Sequence, residues 1–328
     1  MPQGIWTFFW SKVMANHILK AQQYDHGGLI RLMNKTDRIR DMFKSPRRLE
    51  LVEPGSSHKH MILLFYEPST RTRISFQMAA HHLGIQTATT ENAGEFSSAA
   101  KGESLEDTIH VLCRYYPNVI VLRHTEEGAA ERAAVIADKY DVSIINAGDG
   151  KGQHPTQALL DIYTIRDAIG TIEDRTILMG GDLKHGRTVR SLAYLLSKFK
   201  GVKIIFLSLP ELTMNDDLLK HLSDHGTYVE VHTDTGKLHE LLAKSDVVYW
   251  TRFQDERATD NVSELATAYR KLTLGPTELK VMKKLSVILH PLPRIGEIST
   301  EVDNDPRAGY LTQAENGLFV RMALLEDL

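Results

Sequence analysis

Residues 61–83 read MILLFYEPSTRTRISFQMAAHHL, and the fold follows from how that stretch divides. Met61–Tyr66 is a short apolar run, and Glu67-Pro68-Ser69 breaks it. From Thr70 to Leu83 the apolar spacing is helical. A buried strand feeding directly into a helix is half of a βαβ unit, which implies a parallel sheet. The rhythm continues outward. Val119–Leu122, Ser143–Asn146, Thr176–Met179, Lys203–Leu207, Tyr228–Val231, Val247–Tyr249 and Val287–Leu289 read as strands. Leu105–Tyr115, Ala129–Lys139, Pro155–Ile169, Arg187–Phe199, Asn215–His225 and Val262–Leu272 read as helices. So many strands exceed one core, and the pattern predicts an α/β chain of two domains. Each is an open parallel sheet flanked by helices, and the helix from Pro155 bridges them with the division near residues 155–170. Leu318 to Leu328, behind Asn316-Gly317, has the period of an amphipathic helix and is expected to pack back on the first domain.

The composition is that of an ordinary globular protein: 328 residues, 42% hydrophobic and 25% charged, which excludes disordered and collagen-like chains. Lys plus Arg is 39 against 42 acids, net charge -3, so no global basic field points to nucleic acid or an anionic membrane. Any anion site must be a local concentration of arginines. Cys113, the only cysteine, allows no intrachain disulfide and no multi-cysteine zinc site, so a reducing cytoplasm is expected. No apolar run approaches the roughly 18–20 residues of a membrane helix. Ile5, Trp6, Phe8, Phe9 and Trp10 read as an extension that packs on its own body or on a partner, not as a signal peptide.

In open α/β sheets ligands bind beyond the carboxyl ends of the strands, and the polar residues cluster in those loops. Ser69-Thr70-Arg71-Thr72-Arg73 opens a helix. Ser69 is placed as an N-cap, and the first-turn amides and hydroxyls form a cradle for an oxyanion. Arg71 and Arg73 stand about 200° apart around the helix, so only one faces the site squarely. The competing reading is a capped helix with solvated arginines. In Gln153-His154-Pro155-Thr156-Gln157 the proline fixes helix entry, leaving an imidazole in the loop and a carboxamide one turn in. A packed, satisfied histidine is the alternative there. His290-Pro291-Leu292-Pro293-Arg294 is a rigid loop suited to a cis bond and to presenting backbone carbonyls, or else a structural turn. Arg187 and Arg252, after second-domain strands, suit carboxylates or are plain surface residues. Gly181-Asp182-Leu183-Lys184-His185-Gly186-Arg187-Thr188 misses the P-loop pattern by one residue, with arginine where the phosphate-reaching lysine belongs, so nucleotide hydrolysis is set aside.

Taken in order, Ser-Thr-Arg-Thr-Arg, His-Pro-Thr-Gln and His-Pro-Leu-Pro-Arg resemble the transcarbamoylase family from about residue 17 onward. The segments Gly181–Val189 and Thr251-Arg252-Phe253-Gln254, with Pro291 where ornithine-specific relatives carry cysteine, match its aspartate-specific branch. The resemblance implies carbamoyl transfer from carbamoyl phosphate to the amine of L-aspartate, in pyrimidine biosynthesis. It implies a carbamoyl-phosphate domain at 1–155, with helix 312–328 packed on it, and an aspartate domain at 156–311. Ser69, Thr70, Arg71 and Thr72 would hold the phosphate, and Arg123 would bridge phosphate and carbonyl. His154 and Thr72 would polarise the carbonyl, while Gln157 and the backbone carbonyls of Pro291 and Leu292 hold the NH2 group. Arg187, Arg252 and Gln254 would bind the aspartate carboxylates, with Leu292 and Lys101 beside them. Glu67 and Arg257 correspond to interdomain ion pairs. The family works as a homotrimer with shared sites, which assigns Ser97 and Lys101 to a neighbour's site. Ala100 departs from relatives that carry a second lysine there, and the aromatic extension has no counterpart. The implied chemistry calls for no metal or cofactor, and leaves regulatory or dihydroorotase subunits open as partners. Two other classes stay open: a transcarbamoylase for another amine, and a non-catalytic assembly scaffold.

Overall fold

In the computed structural model, which describes residues 17–52, 56–96, 98–255 and 262–327, the opening apolar run is strand β1 (His60–Phe65) and the helix behind it spans Thr70–His82. β1 pairs in parallel with β2 (Gln86–Thr90) and with β3 (Val119–His124), and β3 pairs in parallel with β4 (Ser143–Asp149). The order in this sheet is β2-β1-β3-β4. β3 and β4 are buried along their whole length, whereas β2 at the edge is largely exposed. An edge strand with an open face needs no apolar run, which is why QTATT is absent from the strands read in the sequence.

The second sheet contains β5 (Thr176–Gly180), β6 (Lys203–Leu207), β7 (Tyr228–His232), β8 (Val247–Trp250) and β9 (Val287–Leu289), all parallel, in the order β7-β6-β5-β8-β9. Each sheet anchors one compact unit. The first takes the chain up to Gln23, Gly27–Thr156 and the end from Gly317; the second takes Tyr24–His26 and Gln157–Asn316. The helix Pro155–Ile169 carries the chain from one to the other. The helix His26–Phe43, in the first unit from Gly27 onward, buries Leu29, Leu32, Met33, Thr36 and Ile39 as one stripe. Phe43 meets Phe319 edge-on, with 5.4 Å between ring centroids.

Phe319 lies on the closing helix, which runs Tyr310–Glu326 and so corrects the start expected at Leu318. Asn316-Gly317 does not interrupt it, because the buried Asn316 amide donates to Thr164 Oγ1 at 3.2 Å. Phe319 through Leu325 are all buried, so this half is a core helix and not the amphipathic one expected. The aromatic extension at residues 5–10 lies outside the described residues. No helix among the described residues is long and apolar enough to cross a membrane.

The second core is built around Trp250, which is fully buried and donates Nε1–H to the Leu272 carbonyl at 2.8 Å. Gly180, at the end of β5, lets that indole lie against the strand: a Cβ at 180 would stand 2.1 Å from the ring. Gly180→Ala is therefore expected to cost about 1–3 kcal/mol by overpacking. The measurement is chemical denaturation, where the midpoint should fall with little change in slope. An unchanged midpoint would mean that Trp250 gives way freely.

Candidate active site

Parallel strands end at one edge, and in each unit the polar motifs lie in the loops beyond that edge. In the first unit Arg123 stands near the end of β3. There the register advances from Leu122 opposite Asn146 to His124 opposite Asp149, so β4 carries one extra residue. Gly148, at φ 120°, takes up the bulge. The Ala147 carbonyl then accepts from Arg123 Nη1 at 3.2 Å, and the Glu67 carboxylate lies 2.8 Å from Nη2. Arg123 is thus a buried guanidinium aimed by its own sheet. Glu67 holds it within the first unit, where the resemblance gives Glu67 an interdomain partner; Arg257 lies outside the described residues.

Ser69 stands at the N-cap position of Thr70–His82 in extended backbone, yet its hydroxyl makes no capping bond. The contrast is Ser104, whose Oγ accepts from the Asp107 amide at 3.0 Å. The expected serine cap is therefore corrected: the first-turn amides keep their hydrogen-bonding capacity for another acceptor, with the positive end of the helix dipole behind them. Of the two arginines, Arg73 is engaged by Glu91 at 2.9 Å, while Arg71 has no carboxylate partner among the described residues. Thr72 is buried, and its Oγ1 lies 3.5 Å from His154 Nε2. The same imidazole, also buried, has Thr156 Oγ1 at 3.4 Å from Nδ1.

The loop that delivers His154 is held by Asp149, whose carboxylate accepts from the amides of Gln153 at 2.8 Å and Gly128 at 3.0 Å. Gln153 itself is structural: its Oε1 accepts from the Ala21 amide at 2.8 Å. Gly150, at φ 49°, permits the close turn, since a Cβ there would stand 2.4 Å from the Thr125 carbonyl. Lys101 is exposed at the end of the short turn Ser98–Lys101, and Ser97 lies outside the described residues.

In the second unit the adjacent strands β5 and β8 carry Arg187, Arg252 and Gln254 in their following loops. Asp182, fully buried, ties those loops together: its carboxylate accepts from the Gln254 amide at 3.1 Å and from the His185 amide at 3.2 Å. The near-P-loop segment is thus a clamp and not a phosphate cradle. Arg187 is buried at the first turn of Arg187–Leu196, and Arg252 Nη1 donates to the Phe253 carbonyl at 2.9 Å. Pro291 and Leu292 follow β9 in a loop that contains a cis Leu292-Pro293 bond. His290 Nδ1 accepts from the Leu292 amide at 2.8 Å, which makes Nε2–H the donor to Glu297 at 2.6 Å. Burial pushes the Glu297 carboxyl up, but His290 and the Ile295 amide outweigh it and hold its pKa below the usual value. Arg294 is structural, bound to Asp303 and Tyr310. Gln157 Nε2 donates to the buried Asp161 at 2.8 Å. Asp149, Asp161 and Glu297 belong to no motif read in the sequence, and Asp182 stands inside the near-P-loop segment without a role assigned to it there; only Gln157 and Asp161, one helical turn apart, carry a spacing signal.

Over residues 16–167 the chain matches the aspartate/ornithine carbamoyltransferase, carbamoyl-P binding domain, and over residues 173–328 the Asp/Orn binding domain. It is 47% identical over 322 residues to the chloroplastic aspartate carbamoyltransferase of Oryza sativa subsp. japonica, covering 95% of this chain and 84% of that protein. The chloroplastic aspartate carbamoyltransferase of Arabidopsis thaliana is 46% identical over 323 residues, covering 97% and 78%. The aspartate transcarbamoylase of Trypanosoma cruzi, solved with carbamoyl phosphate and aspartate, superposes with a TM-score of 0.86 at 35% identity, covering 96% of this chain and 97% of that one. The chloroplastic plant relatives correct the cytoplasmic expectation. A lone cysteine reports that no intrachain disulfide is needed, which suits any reducing compartment and names none.

The two arginines of the helix start separate by experiment. Arg71→Ala is expected to weaken the binding of inorganic phosphate by about tenfold or more, because the anion loses a charge-assisted bond. Arg73→Ala, whose partner is Glu91, should stay within about threefold, a loss of screening only. Titration calorimetry with phosphate checks both, and equal losses would refute the assignment.

Proposed function

This chain belongs to the aspartate/ornithine carbamoyltransferase family, and we infer that it transfers the carbamoyl group of carbamoyl phosphate to L-aspartate, giving N-carbamoyl-L-aspartate and phosphate in pyrimidine synthesis. The observation that carries the site assignment is the uncapped helix start at Ser69, with buried Thr72 and His154 3.5 Å apart beside it. Phosphate binds the first-turn amides and hydroxyls of Ser69, Thr70 and Thr72, with Arg71 adding charge. The carbamoyl carbonyl takes donors from Thr72, Arg123 and His154. Its NH2 donates to Gln157 and to the carbonyls of Pro291 and Leu292. Arg187, Arg252 and Gln254 hold the two carboxylates of aspartate, and Leu292 lies beside them.

The amine of aspartate attacks the carbamoyl carbon, forming a C–N bond and a tetrahedral oxyanion. As the intermediate collapses, the bond to the phosphate oxygen breaks, and the leaving phosphate takes up the proton that the nitrogen gives up. The three donors act on charge that develops only on the way to the intermediate, so they lower the barrier more than they tighten binding. Both reactants are anions, which explains why arginines gather at the two sets of loops in a chain of net charge -3. Phosphate release measured with aspartate and ornithine in parallel should be fast with aspartate alone. Arg252→Ala should weaken aspartate about tenfold or more while leaving carbamoyl phosphate nearly intact; equal loss of both would sink this division of labour.

The active form is a homotrimer in which Ser97 and Lys101 serve the neighbouring chain. The reading is supported by the exposure of Lys101 at the end of the turn Ser98–Lys101 and by the family resemblance at that loop. Lys101→Ala and Arg71→Ala proteins, each nearly inactive, should then complement one another on joint refolding. In a closed ring assembled at random from equal amounts, about a quarter of the sites regain every native group. Absence of recovery in trimers shown by native mass spectrometry to be mixed would mean that Lys101 serves its own chain or none.

A further inference from the structure

Asp161 is a fully buried carboxylate on the helix Pro155–Ile169. Its Oδ1 accepts from Gln157 Nε2 at 2.8 Å and from Gln313 Nε2 at 2.6 Å, and its Oδ2 accepts from the Tyr249 hydroxyl at 2.7 Å. A buried charge is costly unless donors surround it, and these three supply the compensation. Burial, with the charge of Asp161, raises the Tyr249 pKa well above its usual value, so the phenol remains a donor.

We propose that Asp161 is a positioning residue that orients both sets of acceptors for the carbamoyl NH2 group. The inference rests on the assignment of Gln157, Pro291 and Leu292 under Proposed function. An ionised carboxylate only accepts, so it turns the nitrogen end of the Gln157 carboxamide toward itself and leaves Oε1, an acceptor, at the opposite end. The reverse orientation would set one NH2 against another. The same rule acts on Gln313. With its Nε2 drawn to Asp161, its Oε1 accepts from the His290 amide at 2.8 Å. His290 in turn accepts from the Leu292 amide at 2.8 Å, so the loop that offers the two carbonyls is tied to the same carboxylate. One buried carboxylate thereby orients both carboxamides and is linked through Gln313 and His290 to the loop.

The test uses acetyl phosphate, which carries a methyl group where carbamoyl phosphate carries NH2. Equilibrium binding of carbamoyl phosphate, acetyl phosphate and inorganic phosphate is measured on wild type, Asp161→Ala and Asp161→Asn. Wild type is expected to prefer carbamoyl phosphate. Asp161→Ala should lower that preference about tenfold and leave the two other ligands within about twofold. Asp161→Asn, which keeps the shape and one acceptor oxygen, should restore most of it, with a residual fall of about threefold; if the alanine variant does not fold, this fall is the test. An equal loss for all three ligands marks a merely structural role and overturns the proposal, as does an unchanged preference in the asparagine variant. A wild type that shows no preference would instead refute the roles given to Gln157 and the loop carbonyls, which separates that failure from one confined to Asp161.

Discussion

Parallel pairing brings every strand of a sheet to an end at the same edge, and the chemistry of this chain depends on that constraint. In the first sheet, β1, β3 and β4 place Ser69–Thr72, Arg123 and His154 at or just beyond one edge. In the second, β5, β8 and β9 deliver Arg187, Arg252, Gln254 and the Pro291-Leu292 loop. Residues far apart in sequence become neighbours because register is set by backbone bonds, while the loops are free to carry polar groups. The bulge at Gly148 refines this, turning the Ala147 carbonyl toward Arg123.

The donors suited to an anion are gathered locally. The whole chain is slightly acidic, yet an uncapped helix start offers amides, hydroxyls and the helix dipole at one point. Its neighbouring carboxylates divide the arginines: Glu91 engages Arg73, and Glu67 steadies Arg123. A solvated lysine patch would bind anions through screened charge alone. Fixed donors aimed at one volume add geometry to that charge, which acyl transfer requires.

The loops keep their shape through buried carboxylates. Asp149 holds the approach to His154, Asp182 clamps the loops after β5 and β8, and Glu297 fixes the tautomer of His290. Each accepts from backbone amides or from a neighbouring side chain and leaves few loop donors unsatisfied. Such acceptors hold the loops rigid, and side chains carried on a rigid loop lose little entropy when they engage a ligand.

The sequence by itself determined the alternation of strand and helix, the two parallel sheets, the bridging helix at Pro155 and the three loop motifs. All of these are short-range patterns of hydrophobic period, turn chemistry and order along the chain. Tertiary structure decided what depends on distant neighbours. QTATT is a strand because β1 offers it a partner, and the closing helix runs through Asn316-Gly317 because Thr164 satisfies the buried amide. Ser69 occupies a cap position without capping, and Glu91 engages Arg73 and not Arg71. Asp161 lies one turn from Gln157 in sequence, but its bonds to Tyr249 and Gln313 join residues 88 and 152 positions away. Periodicity reports which face of an element is buried. Which donor meets which acceptor is set by packing between elements, and that information is absent from any local window of sequence.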